Sequence, residues 1–342
     1  MTNQLQSESL PAHVQLIDIG IAHWESKMLL AAAQLRLADS LAGGARSASE
    51  LAGELKLHPR SLYRFMRTLA GMGILTEVES QTFTLTPLGE ALKADAPGSA
   101  RATILTLTGP IASRSVDHIL YSLETGETGF EQAFGMPLFD YLAEHPDEAS
   151  IFSETMVGIH GREPPAVATG YDFSQFESIV DVGGATGNML VNILRLHEQP
   201  HGVLFDLPHV VTDAPAFIGS HGLQDRVSIE SGSFFESVPS GHDAYILSHV
   251  IHDWHEGECQ TILQHCRSAI EKDGKLLIVE MVLPDGDTPH FGKMTDMMML
   301  VAPGGQERTA EEYGALLEKA DFRLTNVVPT GSDVSVVEAV PV

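Results

Sequence analysis

The chain has 342 residues, of which 43% are hydrophobic and 19% charged, and its formal net charge is -26. The length favours two domains, and the composition is typical of a soluble globular protein. A chain this acidic is a poor candidate for binding nucleic acid, because phosphate backbones are bound by clustered lysines and arginines.

We expect neither a membrane span nor a secretory signal. No stretch reaches the roughly 18 consecutive apolar residues of a span, and the start, MTNQLQSESL, lacks the basic and apolar regions of a signal peptide. Cys259 and Cys266 lie in one predicted helix at a separation of about 10 Å, which is too far for a disulfide. Reduced thiols and a cytoplasmic location are therefore expected.

The N-terminal part is predicted to be helical and to contain a winged helix. Residues 12–42 carry the apolar pattern of amphipathic helices. Ser47 with Glu50 three positions later is the pattern of a capping box that opens a short helix. A second helix is predicted after Pro59, and residues 74–86 alternate like a small hairpin.

A winged helix suggests DNA binding, and Arg60, Arg64 and Arg67 lie on one face of the second helix. Between Arg46 and Lys93, however, six basic residues stand against five acidic ones, so this region is nearly neutral. A solvated face or a protein interface is the favoured interpretation. A ligand-sensing regulator that binds DNA is kept as an alternative function.

From about Asp172 the chain alternates apolar strands with helices, which predicts an α/β fold with a mostly parallel sheet. Two further apolar stretches near the C-terminus are predicted to form a terminal hairpin or a reversed edge pair, and they are FRLTNVVPT and VSVVEAV. The parallel strands are predicted at SIVDVGG, GVLFDLP, VSIESGSFF, AYILSHV and GKLLIVEMVLP.

Polar residues follow each of these five strands. Because ligands bind beyond the carboxyl ends of the strands in such a sheet, we expect a site at this edge. In chain order the residues are Asp181 to Gly187, Asp206, Gly232 to Phe234, Ser248 to Trp254, and Glu280.

The first two of these groups predict an adenosine-containing cofactor. Gly183, Gly184 and Gly187 make a tight strand-to-helix turn that lets a ligand approach the backbone. Asp206 ends the next strand, where a carboxylate can bind both ribose hydroxyls. The glycine spacing does not match the dinucleotide fingerprint, and with Ala185 it resembles D-x-G-x-G-x-G, a pattern used for S-adenosylmethionine.

Three histidines, His249, His252 and His255, recur every three residues after the fourth strand. A metal site is one interpretation, but the flanking acids are not at a recognised ligand spacing, so no metal is predicted. His252 is the candidate general base, whereas a structural role is the favoured interpretation of His249 and His255. Trp254 is expected to pack under the cofactor or against the sheet edge.

Five stretches carry a family resemblance that covers nearly the whole chain. In this order, DVGGATG, FDLPHVV, SHVIHDW, LLIVEMVLP and GGQERT resemble the small-molecule O-methyltransferases of the caffeic acid and hydroxyindole type. The resemblance implies a helical, winged-helix-like dimerisation domain at 1–100 and a helical linker and substrate-pocket segment at 101–170. It implies a Rossmann-like class I methyltransferase domain at 171–342.

The same resemblance implies a function. S-adenosylmethionine would be the cofactor and S-adenosylhomocysteine the product. The acceptor would be a hydroxyl of a small aromatic molecule, phenolic or natural-product in type, and the protein would be a homodimer without nucleic acid or membrane partners. A relative that uses the same cofactor for a non-methylating reaction such as hydroxylation is the second alternative.

The resemblance also assigns roles to individual residues. His252 matches the catalytic base, and Glu280 and Glu307 match the two carboxylates that position it. The residues expected to bind the cofactor are Asp181, Gly183, Gly184, Gly187, Asp206, Leu207, Ser233, Phe234, Ser248 and Asp253. The residues expected to contact the acceptor are Phe152, Met156, Ile159, His249, Met298, Ala302 and, reaching toward the partner's pocket, Trp24.

Elementary chemistry explains why the base needs carboxylates. A phenol has a pKa near 10 and a histidine one near 6.5, a gap of about 3.5 that corresponds to roughly 5 kcal/mol. A carboxylate beside an imidazole favours its charged form and raises its pKa. Glu280 and Glu307 are expected to supply this effect and to fix the ring tautomer, with Asp253 as a third candidate.

Three positions depart from the family pattern. Ala185 replaces the middle glycine of the turn, which we expect to be tolerated only if its φ is negative. Ser233 stands where relatives often have an acid that contacts adenine, and Phe234 beside it is expected to stack on that ring. Ser248 stands where plant members have a lysine, and weaker or differently oriented cofactor binding is kept as an alternative.

Overall fold

The computed structural model describes residues 10–342, which divide into two compact units. Of the described residues, the first unit comprises 10–114 and Leu142–Ile159, and the second comprises Ser115–Tyr141 and His160–Val342. The middle segment that the sequence set apart is thus shared between both units. Among the described residues, no helix is long and apolar enough to cross a bilayer.

Helices and strands follow one another in the order that the sequence predicts. The helices are α1 (Ala12–Gln34), α2 (Leu37–Leu41), α3 (Ala48–Leu55), α4 (Pro59–Gly71), α5 (Pro87–Glu90), α6 (Arg101–Thr108), α7 (Pro110–Val116), α8 (Ile119–Thr125), α9 (Gly129–Phe134), α10 (Leu138–Glu144), α11 (Pro146–His160), α12 (Glu163–Gly170), α13 (Asn188–Leu196), α14 (Ala214–Ser220), α15 (Glu256–Ala269), α16 (Gly292–Val301) and α17 (Ala310–Glu318). The strands are β1 (Arg46–Ser47), β2 (Leu75–Glu79), β3 (Thr82–Leu85), β4 (Ser178–Val182), β5 (His201–Asp206), β6 (Val227–Ser231), β7 (His242–Ser248), β8 (Ile270–Glu280), β9 (Val282–Leu283), β10 (Arg308–Thr309), β11 (Phe322–Pro329) and β12 (Ser335–Pro341).

The first unit contains the predicted winged helix, in which α3 and α4 precede the β2–β3 hairpin and β1 pairs with β3. The predicted capping box is present, because the Ser47 side chain accepts from the Glu50 amide and the Glu50 carboxylate accepts from the Ser47 amide. Met66 and Phe83 are fully buried in the core of this unit. The winged-helix prediction is therefore confirmed.

Helix α1 is long but its N-terminal two-thirds bury little within this unit. Its buried residues are Ala32 and Ala33 near the C-terminal end. Five large apolar side chains are more than half exposed, and they are Leu16, Ile17, Ile19, Ile21 and Trp24. The apolar pattern at 12–42 thus predicted the helix, although much of that apolar surface lies outside the core of its own unit.

The second unit is built on a seven-stranded sheet of order β11-β12-β8-β7-β4-β5-β6. Strands β4 to β8 pair in parallel, whereas β12 is antiparallel to both β8 and β11. The predicted parallel strands and the reversed edge pair are therefore confirmed. The two faces of the sheet are covered by separate clusters of buried residues, with Val180 and Val182 of β4 on one face and Ile179 on the other.

Two helices begin at positions that local chemistry explains. Helix α14 starts at Ala214, directly after a short 3-10 turn at Val211–Asp213. Helix α15 starts at Glu256, and the His255 amide donates to the Glu258 carboxylate at its first turn. Cys259 and Cys266 are both free and buried in α15, as predicted.

Candidate active site

The candidate site lies at the carboxyl edge of the parallel strands in the second unit. Strand β4 pairs in parallel with β5 on one side and β7 on the other, so the strand order reverses at β4. In open α/β sheets such a switch point opens a crevice between the loops that leave the two central strands. We call residues 183–187 after β4 the glycine turn and residues 248–254 after β7 the base loop.

The glycine turn depends on backbone conformations that few residues adopt. Gly183 has φ 75° and Gly187 has φ 84°. Gly184 is required by close approach, because a Cβ there would lie 2.5 Å from the carboxyl carbon of Asp181. Ala185 has φ 49°, so our expectation of a negative φ is wrong. An alanine in this left-handed region costs roughly 1–2 kcal/mol, which the surrounding contacts must offset.

Asp206 ties the end of β5 to the glycine turn. Its Oδ2 accepts a hydrogen bond from the Ala185 amide at 2.9 Å, and its Oδ1 accepts one from the Leu207 amide at 2.7 Å. Leu207 therefore contributes its backbone at this position. Phe234 covers the turn from the other side, since its ring lies 3.6 Å from the point where a Cβ of Gly183 would stand.

Asp181 is a buried carboxyl at the end of β4. Neither of its oxygens has a hydrogen-bond partner among residues 10–342. Burial, together with the nearby charge of Asp206, raises the pKa of Asp181 to about 7. Such a group is neutral below that pH and is costly to ionise above it.

The two serines that depart from the family pattern flank this edge. Ser233 follows β6, and its hydroxyl accepts from the Phe235 amide at 3.2 Å. Ser248 is the last residue of β7 and is partly buried. Trp254 packs edge-on against Phe235, with ring centroids 4.8 Å apart, as expected for a residue at the sheet edge.

His252 is buried in the base loop, in a 3-10 turn at Ile251–Asp253. Its Nδ1 lies 2.9 Å from Oε1 of Glu307, and its Nε2 lies 3.6 Å from Oδ1 of Asp253. Burial alone would lower the pKa of His252, but the Glu307 hydrogen bond and the charges of Asp253 and Glu280 raise it to about 10. The structure thus closes the gap to a phenol that a free histidine would leave.

Glu280 is at the end of β8 and acts on the base loop through the backbone. Its Oε1 accepts from the amides of Val250 at 3.2 Å and His252 at 3.1 Å. Its Oε2 accepts from the hydroxyl of Tyr313 at 2.5 Å. Of the two carboxylates expected to fix the ring, Glu307 contacts the imidazole and Glu280 instead fixes the loop that carries it.

Several residues position Glu307 beside His252, and the sequence did not predict this role for them. The Gln306 amide donates to the His252 carbonyl at 2.9 Å, and a Cβ on Gly305 would lie 1.8 Å from that same oxygen. Asp296 accepts from the Glu307 amide at 2.9 Å. Buried Arg308 donates to the carbonyl of Ile251 at 3.3 Å. The glycine pair in GGQERT was the available signal, since adjacent glycines often mark a close backbone approach.

The residues expected to contact an acceptor lie in both units. In the second unit, Met298 is on α16 and Ala302 follows it, while His249 of the base loop contacts Glu163, with 2.6 Å between Nε2 and Oε2. In the first unit, Trp24 is on α1 and is 63% exposed. The remaining three are on α11, and they are Phe152, Met156 and Ile159. Their roles toward an acceptor stay predictions.

Two family models match the chain. The O-methyltransferase domain matches residues 117–323, which is more than half of the sequence, and the O-methyltransferase dimerisation domain matches residues 18–95. The chain belongs to the O-methyltransferase family. The Rossmann-like methyltransferase fold with an N-terminal dimerisation domain is thereby confirmed.

This O-methyltransferase is similar along its whole length to characterised relatives. It is 39% identical over 342 residues to the phenazine O-methyltransferase of Lysobacter antibioticus, with 100% of both chains covered. It is 35% identical over 338 residues to the O-demethylpuromycin-O-methyltransferase of Streptomyces alboniger, covering 97% of this chain and 90% of that one.

Solved structures give the same result. The crystal structure of LaPhzM superposes with a TM-score of 0.90 and 39% identity, covering 97% of this O-methyltransferase and 100% of that chain. The O-methyltransferase NcsB1 from neocarzinostatin biosynthesis, solved with S-adenosylmethionine and 2-hydroxy-5-methyl naphthoic acid, superposes with a TM-score of 0.81 and 30% identity, covering 93% and 96%. These relatives favour methyl transfer over both alternatives that the sequence left open.

Proposed function

We propose that this O-methyltransferase transfers a methyl group from S-adenosylmethionine to a hydroxyl of a small aromatic acceptor, with His252 as the general base. The observation that supports this most strongly is the buried pair of His252 and Glu307 in the base loop, beside the glycine turn. Relatives named for phenazine and for 3-amino-4-hydroxybenzoate act on aromatic acceptors, which favours that acceptor class.

The glycine turn and Asp206 fit such a cofactor. The Asp206 carboxylate stands at the end of β5, where it would bind the ribose hydroxyls. Gly183 and Gly184 leave the backbone of the turn open to close approach, and Phe234 beside them presents an aromatic face for the adenine. When bound, S-adenosylmethionine supplies the methyl group and leaves as S-adenosylhomocysteine.

The hydrogen bond between His252 and Glu307 determines which ring nitrogen of His252 accepts a proton. With Nδ1–H donating to Glu307, the deprotonated form of the ring carries a lone pair on Nε2, and this lone pair accepts the hydroxyl proton of the acceptor. The pKa of His252, about 10, matches that of a free phenol, so the proton transfer is close to isoenergetic. Asp253, within 3.6 Å of Nε2, stabilises the imidazolium that results.

The assembly and location follow from other parts of the chain. We propose a homodimer formed through the N-terminal unit, supported by the dimerisation-domain match at 18–95 and by the exposed apolar side chains of α1. A cytoplasmic location is supported by the two buried, unpaired cysteines. Light scattering of the purified protein tests the dimer directly, and a monomeric mass would contradict it.

The function is tested in two steps. Calorimetric titration with S-adenosylmethionine, S-adenosylhomocysteine and NADH should show micromolar binding of the first two and none of the third.

A panel of hydroxyaromatic acceptors is then assayed for transfer of a labelled methyl group. We expect His252→Ala to lose turnover by about 10²–10⁴ while keeping cofactor affinity. His201→Ala, an exposed histidine at the first residue of β5, is the matched control and should retain full activity. Unchanged turnover in His252→Ala would contradict the assignment of the base.

A further inference from the structure

Three side chains beside the His252–Glu307 pair form a compact cluster, and one of them, His249, is also expected to contact the acceptor. His160 is the last residue of α11, Glu163 is the first of α12, and His249 is in the base loop. Oε2 of Glu163 lies 3.0 Å from Nδ1 of His160 and 2.6 Å from Nε2 of His249. One nitrogen or oxygen from each of the three lies within 4.8 Å of the others, which is close enough for all three to reach one ion.

The cluster is built into the structure and does not lie loosely on the surface. The Glu163 side chain is only 5% exposed, and that of His249 is 14% exposed. The imidazole rings of His160 and His249 have centroids 3.9 Å apart and are tilted by 41° to one another. His249 adopts φ 52°, a left-handed conformation that is uncommon outside glycine and that carries a cost in backbone energy. In this backbone conformation, the ring of His249 contacts Glu163.

The three side chains offer the donor types that a divalent ion prefers. Glu163 supplies a carboxylate oxygen, and His160 and His249 each supply an imidazole nitrogen. A carboxylate and two imidazoles bind such an ion in their ionised and neutral forms, respectively.

We propose that His160, Glu163 and His249 bind a divalent transition-metal ion of the Zn²⁺ type. Two histidines and a glutamate are a ligand set used for zinc, with a fourth position left to water or another small ligand. Zinc bonds of about 2.0–2.1 Å place tetrahedral ligands roughly 3.3 Å apart. The present separations of 2.6 and 3.0 Å need to widen by about 0.7 and 0.3 Å to reach that spacing. His160, whose side chain is 24% exposed, provides access for the ion.

The separation of these ligands along the chain explains why the sequence did not predict a metal site. The histidine repeat of the base loop predicted no metal, because His249, His252 and His255 do not have a recognised spacing. Glu163, the partner of His249, stands 86 residues earlier in the chain. An ion bound here would link the turn between α11 and α12 to the base loop. Since it binds the folded chain and not the unfolded one, it should raise the melting temperature.

The test uses the full chain after removal of metals with a chelator. Co²⁺ is titrated and followed by its visible absorption, and Zn²⁺ is then added to displace it. We expect one equivalent of Co²⁺, an absorption band typical of a tetrahedral or five-coordinate site, and a melting temperature several degrees higher. The proposal concerns metal binding alone, so a failure of the methyl-transfer proposal would leave it standing.

Matched variants separate this site from the other histidines of the chain, which has 16 histidines in total. Glu163→Gln keeps the shape and hydrogen bonding of the side chain, and His160→Ala removes a part-exposed ligand. Both should bind Co²⁺ at least about tenfold more weakly, while His201→Ala should bind like the wild type. Circular dichroism of the metal-free variants shows whether each is folded. If Glu163→Gln is unfolded, the Co²⁺ affinity of His160→Ala tests the proposal. Equal affinity in all four proteins, or no saturable uptake by the wild type, would overturn the proposal.

Discussion

The cofactor side and the base side of the candidate active site are assembled in different ways. The glycine turn is local, because its conformation is fixed by residues 183–187 and by one carboxylate, Asp206, at the end of the neighbouring strand. The base loop is held by side chains distant in sequence, since Glu307 is 55 residues from His252 and Glu280 is 28. The base side should therefore be the more sensitive of the two to distant substitutions.

The largest effect is expected from Gly305→Ala on the base side. A Cβ at this position would stand 1.8 Å from the His252 carbonyl oxygen and 2.6 Å from the carbonyl carbon of Asp253, so the backbone must move. A shift of about 1 Å at a reacting group costs on the order of a hundredfold in rate. Turnover should fall by at least that factor, while calorimetric affinity for S-adenosylmethionine should change little. Gly314→Ala, where a Cβ meets nothing within 4 Å, is the control and should remain active.

Glu307→Gln is expected to have the next largest effect. The amide keeps an oxygen that can accept from Nδ1 of His252 but removes the charge that raises the pKa of the imidazole. Turnover on the high-pH plateau, where the base is deprotonated, should fall by roughly tenfold to a hundredfold, and the pH at which activity rises should move to lower values. A pH–rate profile measured with one acceptor checks both. Wild-type rates with an unmoved profile would assign the raised pKa to Asp253 and Glu280 instead.

The same contrast explains how far the sequence could take the prediction. The seven strands, the winged helix and the residues of the glycine turn follow from contiguous patterns of apolar residues, glycines and caps. Asp206 follows from its place at the end of the second strand. Each of these features is encoded within a window of about 30 residues, and periodicity and turn chemistry operate on that scale.

The contacts of the base side could not be obtained in that way. Glu280 and Glu307 were identified through a family resemblance, yet their different tasks depend on which of them reaches the ring and which reaches the backbone amides. Tyr313, which holds Glu280, and Glu163, which holds His249, carry no local signal. The sign of φ at Ala185 was also beyond the pattern, because alanine at that position normally indicates a negative φ.

On the cofactor side, Asp181→Asn should alter the pH dependence of stability. The pKa of Asp181 is raised from 3.8 to about 7, so the folded state binds more protons than the unfolded state between these values. Its contribution to stability is therefore present at low pH and is lost as the pH rises through 7. Because asparagine does not ionise, the free energy of unfolding of the variant should rise relative to that of the wild type as the pH rises. The pKa shift of Asp181 corresponds to a difference of a few kcal/mol at pH 8, on the order of 1.4 kcal/mol for each pH unit.

Urea unfolding of both proteins at pH 5 and pH 8 measures this difference. Asp287→Asn, at an exposed loop position, is the control and should leave the wild-type pH dependence intact. A gain that is equal at both pH values would show that Asp181 is ionised throughout, and that its side chain affects stability by packing alone.

The smallest effect is expected from Ala185→Gly, which tests whether the glycine turn tolerates its alanine at a cost. At φ 49° an alanine is strained by roughly 1 kcal/mol, while glycine adopts this conformation freely. The variant should raise the free energy of unfolding by up to about 1 kcal/mol, because the unfolded chain gains some entropy that offsets part of the relief. The Ala185 amide that donates to Asp206 is retained, so cofactor affinity should be equal or higher. Ala42→Gly is the control of opposite sign, since Ala42 is exposed at φ −61° and gains nothing from glycine. If both variants lose stability by similar amounts, the strain at Ala185 is negligible. The glycine turn would then accept alanine in place of the family's glycine without a cost in backbone energy.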